Sequence, residues 1–200
     1  MPVIAVSGHS RKVGKTSIAE GVIAALPEYA WTALKVSLHR HSEYPAKDYT
    51  VVEETCRDGG NDTSRFLKAG ACRAFRVQAA GRIDAAIPAV RAIINDAPYV
   101  IIEGNSILDF IAADFSILVI NRAAAEFKES ARVILTRADA FVLIRESTDS
   151  SKPAEWENLL ESVPKKIRRF ETNDPKIFPP ALTGLLRSRI RRFQLLATSD

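Results

Sequence analysis

The sequence contains little that would cross-link the protein or hold it in a membrane. Its only two cysteines, Cys56 and Cys72, form neither a C-x-x-C pair nor a zinc spacing. We interpret them as thiols in a reducing cytoplasm. No apolar run approaches the ~20 residues of a membrane span, and the chain does not begin with a basic segment followed by a long apolar stretch. We therefore expect a cytoplasmic protein without a signal peptide or a membrane partner.

The sequence also lacks a broadly basic surface. The formal net charge is +4, but residues 165–192 alone hold nine Lys or Arg against two acidic residues. That segment carries a net +7, which leaves −3 for the remainder, so we expect no nucleic-acid partner. The basic segment is interpreted as a solvated helix face, with a docking patch for an acidic partner as the alternative.

Apolar segments alternate with helical patterns along most of the chain. The 200 residues fit one domain of ordinary size, and 46% hydrophobic with 26% charged residues is a globular composition. Continuous apolar strands between helices predict a parallel sheet buried on both faces, a three-layer α/β/α fold. The predicted strands are 3–6, 31–38, 73–77, 99–102, 115–120, 141–144 and 167–170. The predicted helices are 15–26, 62–69, 83–94, 124–136, 154–160 and 181–195, with a long loop at 42–61 and a linker at 147–153.

The first sixteen residues carry the strongest functional signal. An apolar run, Val3 to Val6, stops at Gly8, and Gly14-Lys15-Thr16 opens a helical pattern. Strand, glycine loop and helix in this order are typical of a phosphate-binding loop, whose backbone amides and helix N-terminus bind phosphate oxygens. Five residues separate the two glycines, where the common motif has four. The predicted nucleotide-binding residues are Gly8, His9, Ser10, Arg11, Lys12, Val13, Gly14, Lys15, Thr16 and Ser17.

Particular side chains of this loop and of two later segments have predicted chemical roles. Lys15 is expected to reach the β- and γ-phosphates, and Thr16 to place its hydroxyl on Mg²⁺. Glu103, at the end of an apolar strand, is predicted to hold the Mg²⁺ shell or to orient an attacking water. Asp62 is a second carboxylate for the same tasks, with simple helix capping as the alternative. Lys15, Glu103 and Asp62 are thus the catalytic candidates, and Thr16, Glu103 and Asp62 the metal candidates.

The topology predicts that several of these residues meet. Carboxyl ends of parallel strands lie along one edge of the sheet, where ligands of such folds bind. We therefore expect Lys15, Glu103 and the pair His39 and His41 to lie near one another. The two histidines, with Lys35 before them, would bind an anion or a metal, or lie in a surface loop.

These segments together resemble a known family. The sequence has Gly14-Lys15-Thr16, then Lys35 with His39 and His41, then 62–65 (Asp-Thr-Ser-Arg) with 69–71 (Ala-Gly-Ala), and finally 102–104 (Ile-Glu-Gly). It is similar to P-loop NTPases of the SIMIBI type, most of all to the molybdopterin-guanine dinucleotide biosynthesis protein B (MobB) family. The similarity covers residues 2–120. Residues 121–200, with the basic C-terminal helix, match nothing in that family, and Val36 and Thr63 depart from its pattern.

The resemblance implies a function. It implies a dimeric adapter that binds GTP with Mg²⁺, hydrolyses it slowly, and assists a cofactor-biosynthesis enzyme that attaches GMP to molybdopterin. Two alternatives stay open. The loop spacing is closer to that of ATP-dependent ligases such as dethiobiotin synthetase and cobyrinate synthase, and the chain could also be a non-catalytic module in which nucleotide orders the loop at 42–61.

Overall fold

The computed structural model describes residues 2–39, 48–124, 129–145, 161 and 163–197. Within them, one eight-stranded sheet has the order β3-β4-β2-β5-β1-β6-β7-β8. The strands are β1 (Val3–Gly8), β2 (Trp31–His39), β3 (Tyr49–Glu54), β4 (Arg73–Ala80), β5 (Tyr99–Glu103), β6 (Phe115–Asn121), β7 (Ala140–Ile144) and β8 (Arg168–Thr172). The helices are α1 (Lys15–Ala25), α2 (Asp62–Ala69), α3 (Ile87–Asn95), α4 (Glu129–Leu135) and α5 (Pro180–Ala197), with short 3₁₀ turns at Asp84–Ala86 and Ser106–Asp109.

The central strands are buried on both faces. Every residue of β1, β6 and β7 is buried, and alternate residues of one strand point to opposite faces. Ile4 and Ile101 pack with the apolar sides of α1, α2 and α5, whereas Val3 and Ile102 pack with α3. All strand pairs are parallel except β3 with β4. The predicted three-layer α/β/α fold with a mostly parallel sheet is confirmed.

The predicted loop at 42–61 is partly wrong. Residues 49–54 form β3, an antiparallel strand at the edge of the sheet. Only Tyr49 and Val51 pack against the core, and Val52 is exposed. An edge strand buries one face at most, so its sequence carries little of the continuous apolar signal that marked the central strands.

The cap of α2 also differs from the prediction. Asn61, and not Asp62, caps the helix, because its Oδ1 accepts a hydrogen bond from the Ser64 amide at 2.9 Å. Gly70 ends the helix in the left-handed conformation, as expected. With Asn61 as the cap, the Asp62 carboxylate is available for other contacts.

Other predictions lie outside the described residues. They are the linker at 147–153, the helix at 154–160 and the first part of the loop after β2. None of the helices in the part of the chain that the structure describes combines the length and the apolar character needed to cross a membrane.

Candidate functional site

Glycine is favoured at both ends of the loop between β1 and α1, at Gly8 by close packing and at Gly14 by backbone conformation. A Cβ added to Gly8 would lie 2.7 Å from Val13 Cγ2 and 2.8 Å from Lys15 Cγ, so the loop folds tightly back over the strand end. Gly14 has φ +97°, a left-handed conformation that side chains disfavour. The spacing of five residues between these glycines is therefore compatible with a compact loop.

Neighbouring strand ends hold the loop in place. Asn105, just after β5, accepts a hydrogen bond from the Gly8 amide at 3.0 Å and donates one to the Gly8 carbonyl at 2.8 Å. On the other side, the His9 amide donates to the Val119 carbonyl of β6 at 3.2 Å. Within the loop, Lys15 Nζ donates to the Ser10 carbonyl at 2.7 Å. The loop is thus anchored on both flanks and bridged by its own lysine.

The N-terminus of α1 faces the same loop. The first helical hydrogen bond runs from the Ile18 amide to the Gly14 carbonyl at 3.0 Å, so the amides of Thr16 and Ser17 have no acceptor within the helix. None of the described side chains caps this end. Amides at a helix N-terminus, together with the helix dipole, favour a bound anion.

Thr16 and Glu103 meet at the base of the loop. Thr16 Oγ1 donates to Glu103 Oε2 at 2.9 Å. The Glu103 side chain is only 1% exposed, because it closes β5 in the middle of the sheet. A buried carboxylate beside a loop hydroxyl is the arrangement expected of a metal-binding pair.

Lys35 joins the two carboxylate candidates. It lies on β2 directly across from Glu103 in the parallel register. Its ammonium forms an ion pair with Glu103 Oε1, lies 2.8 Å from Asp62 Oδ2, and lies 3.5 Å from Thr16 Oγ1. One cation therefore contacts all three predicted metal ligands.

Arg65 fixes α2 against α1 beside this cluster. Its guanidinium donates to both carboxylate oxygens of Glu20, at 2.9 and 2.6 Å, and to Ser17 Oγ at 3.1 Å. Arg65 Nη1 also lies 3.8 Å from Asp62 Oδ1. Two-point contact of arginine with a carboxylate restricts orientation, so α2 holds Asp62 at a fixed place relative to the loop.

Burial and charge shift the pKa values of these groups. Burial alone would lower the pKa of Lys35, but the Glu103 and Asp62 carboxylates outweigh it and hold that pKa above its ordinary value. Burial alone would raise the pKa of Asp62, but the hydrogen bond and charge of Lys35 lower it. Burial lowers the pKa of His9, so its imidazole is held in the neutral form.

These elements surround a cavity of about 620 Å³. It is lined by loop residues 10–17, by the ends of β2 and β5, and by Asp62, Arg65, Asn121 and Pro175. The structure thus brings Lys15, Thr16, Asp62 and Glu103 to one place. His39 is the last residue of β2, and His41 lies outside the described residues, so their predicted place near Lys15 and Glu103 stays a prediction.

Three residues of the site were not predicted as such. Asn105 follows Glu103 at a strand end, so the topological argument that selected Glu103 could have selected it too. Asn121 ends β6 in the same way. Pro175 follows β8, and no local motif marks it as part of the cavity. Its Cβ would lie 2.7 Å from a Cβ added to Gly14.

Comparisons with known proteins define the fold. Neither a protein-family model nor a curated protein matches the chain. Among solved structures, LpxK from Aquifex aeolicus, in complex with ATP, is similar with a TM-score of 0.50 and 20% identity. The likeness covers 86% of this chain and 53% of LpxK, so the chain spans about half the length of that protein.

Two further solved structures are more distant. A chain of the MinC:MinD cell division complex from Aquifex aeolicus has a TM-score of 0.48 and 14% identity, over 97% of this chain and 96% of its own. The signal recognition particle 54 kDa protein from Aeropyrum pernix K1, in complex with GDP, has 0.45 and 14%, over 98% and 50%. The likeness to LpxK agrees with the three-layer α/β/α fold with a mostly parallel sheet, and it shows the fold alone.

Proposed function

We propose that this chain binds a purine nucleoside triphosphate together with Mg²⁺ and hydrolyses it slowly. The observation that carries the proposal is the meeting of the glycine loop, Lys15 and the Thr16–Glu103 pair in one cavity. The cavity volume of about 620 Å³ is within the range of small-molecule sites.

The loop supplies two kinds of donor for phosphate oxygens. The amides of Thr16 and Ser17 open the helix, and Lys15 adds a positive charge at the same place. In the structure Lys15 bonds to the Ser10 carbonyl, but an ammonium has three donor positions. A polyphosphate entering the loop therefore accepts hydrogen bonds from this lysine as well as from the amides.

The residues present fit Mg²⁺ held jointly with phosphate. Magnesium in nucleotide sites takes one or two carboxylates or hydroxyls from the protein and completes its shell with phosphate oxygens and water. Thr16, Glu103 and Asp62 supply such ligands, either directly or through water. The described residues contain no group of three or more His, Cys, Asp or Glu side chains placed to hold a metal. When bound, Mg²⁺ neutralises charge on the phosphates.

The described arginines favour slow intrinsic hydrolysis. Arg65 is held by Glu20 and Ser17, and Arg11 is exposed at the mouth of the cavity. Glu103 or Asp62 would orient the attacking water. An arginine supplied by a partner, or by Arg11 across a dimer, raises such rates by about 10³–10⁵.

The pathway part of the proposal rests on the sequence motifs. By resemblance to the MobB family we propose GTP as the favoured nucleotide, a homodimer, and a role as adapter to the enzyme that builds the molybdopterin-guanine dinucleotide cofactor. ATP is the alternative, because the similar LpxK structure is a complex with ATP. An ATP-dependent ligase would consume ATP only with a carboxylate or amine substrate, and a binding module would show no turnover.

Isothermal calorimetry with GTP and with ATP, each with and without Mg²⁺, tests the proposal. Wild-type protein should bind one of them in a Mg²⁺-dependent way. Lys15→Ala should weaken that binding about tenfold to a hundredfold, because a hydrogen bond to a charged group is worth about 1.5–3 kcal/mol.

The matched control is Lys68→Ala, which removes a lysine charge from the exposed face of α2. This variant should bind nucleotide as wild type does. Equal affinity of Lys15→Ala and wild type, or wild-type binding too weak to measure, would contradict the proposal. Phosphate release with and without candidate acceptors then separates adapter, ligase and module.

A further inference from the structure

The predicted metal ligands already hold a cation of the protein's own. Lys35 Nζ lies within contact of Glu103 Oε1, Asp62 Oδ2 and Thr16 Oγ1. The parallel register places Lys35 directly opposite Glu103, so the sheet itself sets this contact. The Glu103 side chain is 1% exposed and the Lys35 side chain 21%, whereas Asp62, at 38%, lies on the solvent side of the cluster.

We infer that Lys35 acts as an internal counter-cation. It prevents free divalent metal from binding Glu103 and Asp62, and it releases these carboxylates only when the metal arrives together with a triphosphate. This inference rests on the proposed function, and it adds that metal binds only together with the triphosphate. It concerns Lys35, which positions and neutralises the ligands, and not a further metal ligand.

Simple electrostatics supports the exclusion. Buried Glu103 needs a positive partner, because an unpaired carboxylate in the interior is costly. Lys35 supplies that partner before any ligand binds, and the carboxylates in turn favour its charged form. Mg²⁺ needs oxygen ligands at about 2.0–2.1 Å. An ammonium that already contacts Glu103 Oε1 and Asp62 Oδ2 would repel a metal ion at that distance from the same carboxylates.

A triphosphate changes this balance. Its oxygens are acceptors for a lysine ammonium, and Lys35 lines the same cavity as the phosphate loop. An ammonium that bonds to phosphate leaves carboxylate oxygens for the metal. Nucleotide binding should therefore raise metal affinity, and metal should raise nucleotide affinity by the same factor.

The test measures Mn²⁺ binding from the electron paramagnetic resonance signal of the free ion. Without nucleotide, wild-type protein should bind Mn²⁺ weakly. Lys35→Met should bind it at least about tenfold more tightly, because Glu103 then lacks its cation and Asp62 keeps only the Arg65 contact at 3.8 Å. Lys35→Arg should remain weak, since it keeps the charge. Lys68→Met, which removes a lysine whose side chain is 74% exposed, should match wild type.

The outcomes are distinguishable. Equal Mn²⁺ affinity of wild type and Lys35→Met refutes the inference, and so does micromolar Mn²⁺ binding by wild type alone. Should Lys35→Met fail to fold by circular dichroism, Lys35→Gln replaces it, and the wild-type measurement decides if neither folds. A separate arm adds guanosine or adenosine imidotriphosphate to wild type. Failure of both to bind there refutes the proposed function, whatever the Lys35 variants show.

Discussion

Replacing Gly14 by alanine tests how the C-terminal part of the chain closes the phosphate loop. Gly14 directly precedes α1 and has φ +97°, and a Cβ at this position would lie 2.7 Å from Pro175 Cβ and 2.9 Å from Ile144 Cδ1. The isoleucine methyl is the end of a flexible side chain and can move. The proline ring is tied to its backbone, so either the loop after β8 or the phosphate loop must shift.

Two contributions set the expected loss of stability. A left-handed conformation costs a non-glycine residue about 1–2 kcal/mol. Overpacking at a closed contact adds about 1–3 kcal/mol. Gly14→Ala should therefore lower the free energy of unfolding by about 2–5 kcal/mol. Gly81→Ala is the matched control, because Gly81 has φ +80° but no described atom within 4 Å of an added Cβ, and it should cost only about 1–2 kcal/mol.

Urea unfolding of wild type, both variants and a double mutant measures the contact. Pro175→Gly removes the Cβ that Gly14→Ala would strike, so the double mutant should be about 1–3 kcal/mol more stable than the two single effects added together. Gly14→Ala should also weaken nucleotide binding, and Gly81→Ala should not. Additive effects, or equal losses for the two glycine variants, would show that Pro175 does not lie against the loop.

Two further predictions concern pH and capping. The pKa of His9 is lowered by burial, so the unfolded state takes up the proton first and wild-type stability should fall as pH drops below about 6.5. His9→Gln should show a smaller decrease in melting temperature between pH 7.5 and pH 5.5, and an equal decrease would contradict this reasoning. Asn61→Ala removes the cap of α2 and should cost about 0.5–2 kcal/mol in urea unfolding, whereas a cost below that of the exposed Lys68→Ala control would argue against the cap.

The sequence predicted the central sheet well because burial on both faces leaves a simple pattern. β1, β5, β6 and β7 are continuous apolar runs, and each was located within about two residues. β3 was missed because it lies at the edge of the sheet, and its sequence, Tyr-Thr-Val-Val-Glu-Glu, is only partly buried and forms no continuous apolar run. A continuous apolar run therefore locates a buried strand well, although β8, which is largely exposed, was also predicted, at 167–170.

The residues of the site also differ in how far the sequence could predict them. Lys15, Thr16 and Glu103 could be placed together because two rules, the loop motif and the common edge of carboxyl strand ends, act through the backbone alone. The contact of Lys35 with Glu103 needed the strand order, since β2 and β5 are neighbours in the sheet but far apart in sequence. The position of Pro175 beside Gly14 could be known only from the packing of the loop after β8. The sequence predicted Glu103 and Asp62 as ligands available to Mg²⁺. In the fold their charge is already neutralised by Lys35. For this reason, metal binding measured without nucleotide tests the role of Lys35 in the site, which nucleotide binding alone does not test.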